Sequence, residues 1–470
     1  MRLRSHKECR RSLCSLSAVS LVLVASLVGA AGAIEINSPP NVVGSGARAL
    51  GMGGAFIAVA DDATAASWNP GGLPQLERPE ISAVYSWKFY HEDFNRGQQI
   101  ERDVTEDIDF SSLNYLSIVY PFRRTIAGRN IVISLNYHRM LDFDRELDVA
   151  YHDIEFLAVT QGRAEFRQSG SLGALSPALG FELTDRLSLG VAVNLWDQSL
   201  LPDNEWKQVT RSNFWTQTGG LLTAGRLIEE ERYEDFDGIN YTFGLLFKPT
   251  DRWSIGLVHH TKFAADVKYT LKRTLLVPPV STVHKQDRRI EFPSAWGLGL
   301  AYRFPNDKLT LALDVTRREW DEFVEIERGP TFFNNWLSRR RFSPITGLEK
   351  WRSHHKATYT VRLGGEYVFF NPDRPLRKYL PSLRLGAFYD PEPAGGRRVG
   401  FLGLGPVTGD PDDYWGATFG VGVLVKNRVN VDFAYQYRWG DDIRKDTFSM
   451  WDVDGDVEQH ELYLSTVIYF

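Results

Sequence analysis

Residues 428–439 alternate so strictly between apolar and polar side chains that few kinds of surface can accommodate them. Valine, phenylalanine, tyrosine and tryptophan occupy one face of this predicted strand, and Arg428, Asn430, Asp432, Gln436 and Arg438 occupy the other. Residues two apart share a face of a strand. An apolar face opposite a charged face is typical of a barrel wall with lipid outside and a polar interior. The segment therefore predicts an outer-membrane strand, not one of a soluble sandwich.

Fourteen segments show a related alternation, and each is about 9–14 residues long, enough for a tilted strand to cross a bilayer. They cover residues 80–89, 112–122, 130–143, 172–182, 186–197, 238–247, 252–263, 294–304, 308–320, 356–369, 382–390, 414–425, 428–439 and 458–470. The even number suits a closed antiparallel wall. The fold class predicted is all-β, a 14-stranded antiparallel transmembrane β-barrel.

The predicted connections between these strands alternate in length. Short connections are 183–185, 248–251, 305–307 and 426–427, with longer ones at 123–129 and 370–381. The opposite side carries predicted loops at 90–111, 144–171, 198–237, 264–293, 321–355, 391–413 and 440–457. Short periplasmic turns and long outer loops are typical of bacterial barrels. Both ends of the barrel sequence then lie on the periplasmic side.

The first 33 residues have the pattern of a secretory signal peptide. Basic residues precede an apolar stretch at 16–28, and Ala31, Gly32 and Ala33 provide the small residues of a cleavage site. Both cysteines, Cys9 and Cys14, lie in this segment, so the mature chain would have no disulfide and no thiolate metal site. The net charge of -5 indicates no nucleic-acid partner.

Residues 46–73 fit neither a linker nor a barrel strand. They contain too much Ala, Val, Ile, Phe and Met for a solvated linker, and their alternation is too weak for a wall. Inward positions of the predicted strands include many small residues, such as Gly420 and Gly422, and glycine is frequent where another backbone approaches closely. We therefore predict a signal peptide at 1–33, an N-terminal hatch at 34–79 that plugs the barrel, and the barrel itself at 80–470.

Three motifs carry a family resemblance. They are Trp68-Asn69-Pro70-Gly71-Gly72-Leu73, residues 292–299, and residues 384–391 followed by 416–422. All three resemble the long-chain fatty acid transporters of the outer membrane, the FadL/OmpP1/TodX type, with Gly71 in place of an alanine. The resemblance implies passive uptake of hydrophobic compounds through a plugged barrel, with lateral exit into the membrane. The hatch is also similar to PorV-like barrels, so a protein-secretion shuttle or scaffold is the alternative function.

Two sites in the hatch are candidates for function. In Asn69-Pro70-Gly71, Pro fixes φ and Gly permits a positive φ, which predicts a turn. This turn either anchors a hatch that moves with substrate or only links hatch to wall. The carboxylates of Asp61 and Asp62 either pair with an inward arginine (Arg303, Arg362 or Arg438) or form a solvated helix cap.

The predicted outer loops 198–237 and 264–293 contain exposed apolar clusters, which are otherwise hard to explain. In the resembled family these two loops shape the ligand groove, which assigns that role here to Phe214, Trp215, Leu221, Leu222, Leu275, Leu276 and Val277.

Further partners follow from the ends of the strands. The terminal Phe470 closes an alternating strand and resembles the signal that the barrel assembly machinery reads. Outer-membrane lipids would surround the wall. Residues 452–456 are acidic and read as a solvated loop, with a divalent ion bridging lipopolysaccharide phosphates as the alternative. The pairs His259-His260 and His354-His355 point to opposite faces of a strand, so they predict no metal site. We expect no cofactor and no catalytic group, and hence no enzyme.

Overall fold

The computed structural model describes residues 45–94, 104–126, 128–155, 158–218, 221–276, 279–327, 340–344, 349–351, 355–370, 378–393, 412–445 and 453–470. The predicted signal peptide, residues 34–44 of the predicted hatch, His354 and Asp452 lie outside these ranges. In the described ranges, no helix is long and apolar enough to cross a membrane.

One antiparallel sheet contains all twenty described strands. They are β1 (Glu80–Phe94), β2 (Val104–Ile126), β3 (Arg129–Asp142), β4 (Arg145–Glu155), β5 (Ala158–Thr184), β6 (Leu187–Asp197), β7 (Glu205–Thr218), β8 (Leu221–Phe247), β9 (Trp253–His260), β10 (Phe263–Leu276), β11 (Pro279–Phe292), β12 (Ala295–Arg303), β13 (Leu309–Arg318), β14 (Val324–Glu327), β15 (Arg341–Phe342), β16 (Thr358–Val368), β17 (Tyr379–Tyr389), β18 (Trp415–Val425), β19 (Val429–Lys445) and β20 (Val453–Tyr469).

The sheet is closed, because β1 pairs with both β2 and β20. Six wall strands are each interrupted once, so the twenty segments form fourteen wall strands. The interrupted ones are β3 with β4, β6 with β7, β9 with β10, β11 with β12, β13 with β14, and β15 with β16. The predicted 14-stranded barrel is confirmed. Short turns lie at one end, the turn end, and long strands project from the other, the outer end.

Much of what the sequence predicts as outer loops is strand instead. β5 and β8 are each 27 residues long, about 90 Å of extended chain, whereas β17 and β18 have 11. β5 pairs with β7, and β8 pairs with β7 and β10, so the wall continues outward. The loop predictions for most of 144–171, 198–237 and 264–293 were therefore wrong. Pairing with a neighbouring extension satisfies the backbone hydrogen bonds that a loop would leave to water.

The two faces of the wall follow the predicted alternation. Outward side chains form an exposed apolar band, with Ile118 59%, Leu298 54% and Leu363 55% exposed. Inward partners such as Asp432 and Arg438 are buried. Trp253 and Trp415 lie at the ends of their strands with large exposed fractions, as aromatic residues at a bilayer surface do.

The N-terminal residues 45–76, here called the hatch, lie inside the barrel. They form the short helices α1 (Ala47–Gly51) and α2 (Ala65–Trp68) and the 3₁₀ helix η1 (Pro70–Gln75). A second 3₁₀ helix, η2 (Trp320–Glu322), follows β13. Helices of four to six residues are too short to be stable in isolation, so wall contacts hold these turns in place. The hatch forms one buried cluster with the wall, and a second, richer in aromatic residues, lies toward the outer end.

Candidate functional site

A layer of inward glycines receives the hatch backbone. A Cβ on Gly190 would lie 2.1 Å from the Pro70 carbonyl oxygen, and one on Gly364 would lie 2.1 Å from that of Met52. Such distances leave no room for a side chain, so glycine is required by close approach. The layer extends over eight wall strands as Gly180, Gly190, Gly244, Gly256, Gly299, Gly364, Gly386 and Gly420. Gly420 contacts Gly51 and so makes room for the hatch backbone, as expected. Gly422 instead makes room for an ion pair of Asp432.

The Asn69-Pro70-Gly71 turn fastens the hatch to β8. The Asn69 side-chain amide donates to the backbone carbonyls of Ile57 at 2.8 Å and Leu245 at 3.0 Å, while its oxygen accepts from the Gly71 amide at 3.0 Å. Gly71 does not adopt a positive φ, so the expected reason for its presence was wrong. A Cβ there would lie 2.9 Å from the backbone of Gly244 and Leu245, and close approach is the reason.

Asp61 and Asp62 bind an arginine that the sequence analysis missed. Arg48 lies 2.5 Å from Asp61 and 3.5 Å from Asp62, and Asp61 is also 4.0 Å from Arg303. Asp62 accepts hydrogen bonds from the amide and the hydroxyl of Thr64, at 2.9 and 2.6 Å. Of the three arginines predicted as partners, the structure places Arg303 next to this pair, and Arg362 and Arg438 contact Asp390 instead.

Buried ion pairs then join the hatch to the wall. Arg48 donates to both carboxylate oxygens of Glu366, at 2.9 and 2.7 Å. Glu366 also accepts from Arg384 at 2.7 Å, and Arg384 reaches Asp432 at 2.7 Å. Charge-assisted, bidentate contacts of this kind are among the stronger polar interactions in proteins. A single wall carboxylate, Glu366, therefore connects a hatch arginine, Arg48, with a wall arginine, Arg384.

The second cluster, here called the outer aromatic cluster, lines the outer part of the interior. Its members are Met140, Leu141, Phe143, Leu172, Ala174, Trp196, Trp206, Tyr233, Phe236, Phe263, Ala265, Val267, Tyr269, Ile290, Phe292, Trp320 and Phe323. Ring contacts run through it almost without interruption: Trp206 stacks on Tyr233 at 4.4 Å between centroids, and Phe263 stacks on Phe292 at 4.6 Å. Each ring buries a large apolar area, and the phenylalanines among them have no hydrogen-bond requirement.

Polar groups close one side of the outer aromatic cluster. The Tyr269 hydroxyl donates to Glu231 at 2.9 Å, and Arg288 lies 3.3 Å from the centroid of the Tyr269 ring. Arg288 also pairs with Glu325 at 2.5 Å. The exposed apolar band of β8 begins at Ile239, so Glu231 lies outside the membrane-spanning part. Burial, the largest cause, raises the pKa of Glu231 to about 7, and the hydrogen bond from Tyr269 opposes this shift.

The predicted groove residues lie near the tips of the extended hairpins, not in a loop groove. Phe214 is buried, whereas Trp215 and Leu222 are 47% and 66% exposed. Leu221 begins β8, Leu275 and Leu276 end β10, and Val277 lies outside the described residues. The six described positions thus lie on the neighbouring hairpins β7–β8 and β10–β11, and the role of all seven in ligand entry stays a prediction.

Two further features of the wall were missed. The β5–β6 register has no partners for Ser176 and Pro177 between the pairs Leu175–Leu195 and Ala178–Ala192. Proline has no amide to donate to a ladder, so Pro177 in a predicted strand was an available signal. At the turn end, a cavity of about 1060 Å³ reaches the underside of the hatch and is lined by charged residues that include Arg129, Glu182 and Lys248.

His259 and His260 point to opposite faces of β9, as strand geometry requires. His259 stacks on Trp296 at 3.9 Å, and His260 shares a hydrogen bond of 3.0 Å with Thr242. Among the described residues, His, Cys, Asp and Glu form no group of three or more that could hold a metal ion. The amide of Phe470 donates to Pro79 at 3.0 Å, and its side chain is exposed. Its recognition by the assembly machinery stays a prediction.

Comparison with known proteins adds independent information. The family model described as outer membrane protein transport protein (OMPP1/FadL/TodX) matches residues 146–463. A Pseudomonas aeruginosa FadL homologue has a similar structure, with a TM-score of 0.57, 15% identity and coverage of 91% of this chain and 99% of that one. The toluene transporter TodX of P. putida gives a TM-score of 0.52, 14% identity, and coverage of 91% and 99%. No curated protein matches the sequence.

Proposed function

Since the chain belongs to the OMPP1/FadL/TodX family of outer membrane transport proteins, we propose that this β-barrel of the bacterial outer membrane takes up hydrophobic small molecules passively, long-chain fatty acids among them. The observation that carries the proposal is the outer aromatic cluster on the interior face beyond the hatch. A water-filled porin has no use for such a surface, whereas apolar cargo gains from contact with it.

Two features next to the hatch suggest the path that cargo takes, one below it and one beside it. Below the hatch, the cavity at the turn end is lined by Arg129, Glu182, Lys248 and other charged or polar residues, which disfavours an apolar molecule. Beside the hatch, the unpaired stretch at Pro177 weakens the contact between β5 and β6. We infer that cargo leaves sideways at this point, where the exit leads into lipid.

Uptake by cells tests the function. A Gram-negative host without its own fatty-acid transporter would express the protein or an empty vector, and the entry of labelled oleate and labelled toluene would be measured. We expect faster entry of at least one compound. Equal entry with and without a correctly assembled barrel would overturn the proposal, and co-purification of exported proteins in that case would favour the shuttle alternative.

Substitutions in the same assay separate the two candidate ligand surfaces. Phe292→Ser and Phe323→Ser place a hydroxyl in the outer aromatic cluster, whereas Trp215→Asp and Leu222→Asp change the hairpin tips. Loss of uptake in the first pair alone would assign ligand contact to the cluster, and loss in the second pair would support the predicted groove. Pro177→Val restores an amide donor, and we expect it to slow uptake if the exit lies between β5 and β6.

A further inference from the structure

Three exposed cations, here called the basic strip, lie together at the turn end of the wall. Lys378 directly precedes β17, and Lys426 and Arg428 belong to the connection between β18 and β19. The Lys426 amide donates to the Lys378 carbonyl at 2.8 Å, so the two connections are neighbours. Within the described ranges, no carboxylate lies within 4.0 Å of the charged groups of these three residues. The basic strip therefore presents positive charge that no ion pair offsets.

Other turns at this end balance their charge locally. In three of them, an aspartate directly precedes a basic residue. These pairs are Asp185–Arg186, Asp251–Arg252 and Asp307–Lys308. Between Lys426 and Arg428 stands the uncharged Asn427 instead. Arg78 reaches the same connection, where its guanidinium donates to the Asn427 carbonyl at 3.1 Å, but Glu77 is its neighbour in the chain.

The backbone of Lys426 is held in a conformation that disfavours lysine. Lys426 and Asn427 have φ of 51° and 54°, as a two-residue hairpin turn requires, and the Arg428 amide closes the turn on the Val425 carbonyl at 2.9 Å. Asparagine, aspartate and glycine tolerate a positive φ, whereas the Cβ of a lysine meets the backbone there. The other described turns of this end place Gly128 and Asp307 at positive φ. A lysine at such a position indicates that its charge has a use.

The basic strip lies at the level of the lipid head groups. Lys426 directly follows Val425, the last residue of β18, and Val425 lies opposite Tyr379, the first residue of β17. Tyr379 is 52% exposed, and the Lys378 ammonium lies 5.2 Å from the centroid of its ring. Aromatic rings at strand ends mark the bilayer surface. Because the turn has only two residues, its side chains stay close to that surface.

We propose that the basic strip binds the phosphate of an anionic phospholipid in the periplasmic leaflet, with the acyl chains along the apolar outer face of β17 and β18. Leu385 and Phe419 lie opposite each other on that face, 59% and 42% exposed. Ammonium and guanidinium groups donate to phosphate oxygens, and basic residues near a membrane surface attract anionic lipids. A zwitterionic lipid carries its own ammonium and gains less. The inference goes beyond uptake and holds for any cargo.

Native mass spectrometry of the detergent-solubilised full chain tests this assignment by comparing the affinities for phosphatidylglycerol and phosphatidylethanolamine, which differ in head-group charge. Lys378→Gln, Lys426→Gln and Arg428→Gln each remove one cation, and a triple variant removes all three. Lys308→Gln is the matched control, because Asp307 precedes Lys308 in a turn at the same end. Inorganic phosphate and glycerophosphoglycerol serve as soluble competitors that lack acyl chains.

We expect wild type to prefer phosphatidylglycerol, each single variant to lose about fivefold of that preference, and Lys308→Gln to keep it. Lys426→Asn should weaken phosphatidylglycerol binding while raising the midpoint of urea unfolding, because asparagine relieves the turn. A merely structural lysine would not show these opposite effects.

Two results on wild type alone would overturn the inference, whether or not the variants assemble. One is equal affinity for the two lipids, and the other is displacement of phosphatidylglycerol by the soluble competitors at equal concentration, which would assign the strip to a free phosphate compound. An assembled triple variant with an unchanged preference would overturn it as well. Cargo uptake plays no part in these measurements, so failure of the proposed function leaves their outcome unaffected.

Discussion

The hatch layer and the outer aromatic cluster are both buried inside one barrel, but different kinds of contact hold them together. At the hatch, backbone meets backbone across glycines, and buried ion pairs such as Arg48–Glu366 fix its position. In the outer cluster, rings such as Phe263 and Phe292 stack without directional bonds. The first arrangement tolerates one geometry, whereas the second can exchange one ring contact for another. The difference indicates a fixed floor, which is the hatch layer, below an adaptable chamber, which is the outer aromatic cluster whose buried rings fill this part of the interior.

The sharpest test of the fixed floor is to fill one glycine position. Gly364→Leu would place Cβ 2.1 Å from the Met52 carbonyl oxygen. Because both contacting groups are backbone, neither can move away, and we expect the hatch not to bind in its position inside the barrel. We expect large conductance in planar bilayers, or a barrel that fails to assemble. Gly365→Leu is the matched control, because its Cβ meets the flexible end of Leu311 at 3.1 Å. Wild-type conductance and stability in Gly364→Leu would remove the distinction between floor and chamber.

The next largest effect is expected at the ion pairs of the floor. Glu366→Gln leaves Arg48 and Arg384 without their shared carboxylate, and breaking a buried pair on one side costs about 3–5 kcal/mol. Urea unfolding of the reconstituted barrel measures this loss. The comparison variant is Glu146→Gln, whose partner Arg167 is 62% exposed, and exposed pairs contribute about 0–1 kcal/mol. Equal losses in the two variants would contradict a rigid hatch layer.

Much of this architecture was predictable, because the period-2 alternation of segments such as β19 records a wall with two different sides. The outer extensions were not. In β11, side chains on both faces are largely exposed, so its sequence resembles a loop and only pairing with β10 reveals a strand. The hatch turn at Asn69 was found through its motif. Arg48 and Glu366 are 318 positions apart, and no local pattern connects them. The outer aromatic cluster, drawn from many strands, is invisible locally for the same reason.

A milder change tests the adaptable chamber. Phe323→Leu removes a ring that contacts Phe292 and Trp320 but keeps most of its apolar volume. We expect the free energy of unfolding to fall by less than about 1.5 kcal/mol, because volume-conserving apolar exchanges are well tolerated. If the ring contacts cargo, the uptake rate should fall clearly even though the free energy of unfolding changes little. A stability loss as large as that of Glu366→Gln would show that the outer aromatic cluster is as rigid as the floor.

The smallest expected effect is a pH dependence confined to the chamber. Burial raises the pKa of Glu231 to about 7, so the folded state binds a proton more readily than the unfolded chain does. The stabilisation is complete below the unfolded pKa of about 4.5 and is lost as pH rises through 7. Hydrogen exchange in the outer parts of β8 and β10, corrected for intrinsic rates, should therefore be slower at pH 5 than at pH 8. Glu231→Gln should remove this difference, and Glu234→Gln on the same strand should retain it. If the exchange rates of Glu231→Gln still differ between pH 5 and pH 8, another group causes the pH response and Glu231 does not.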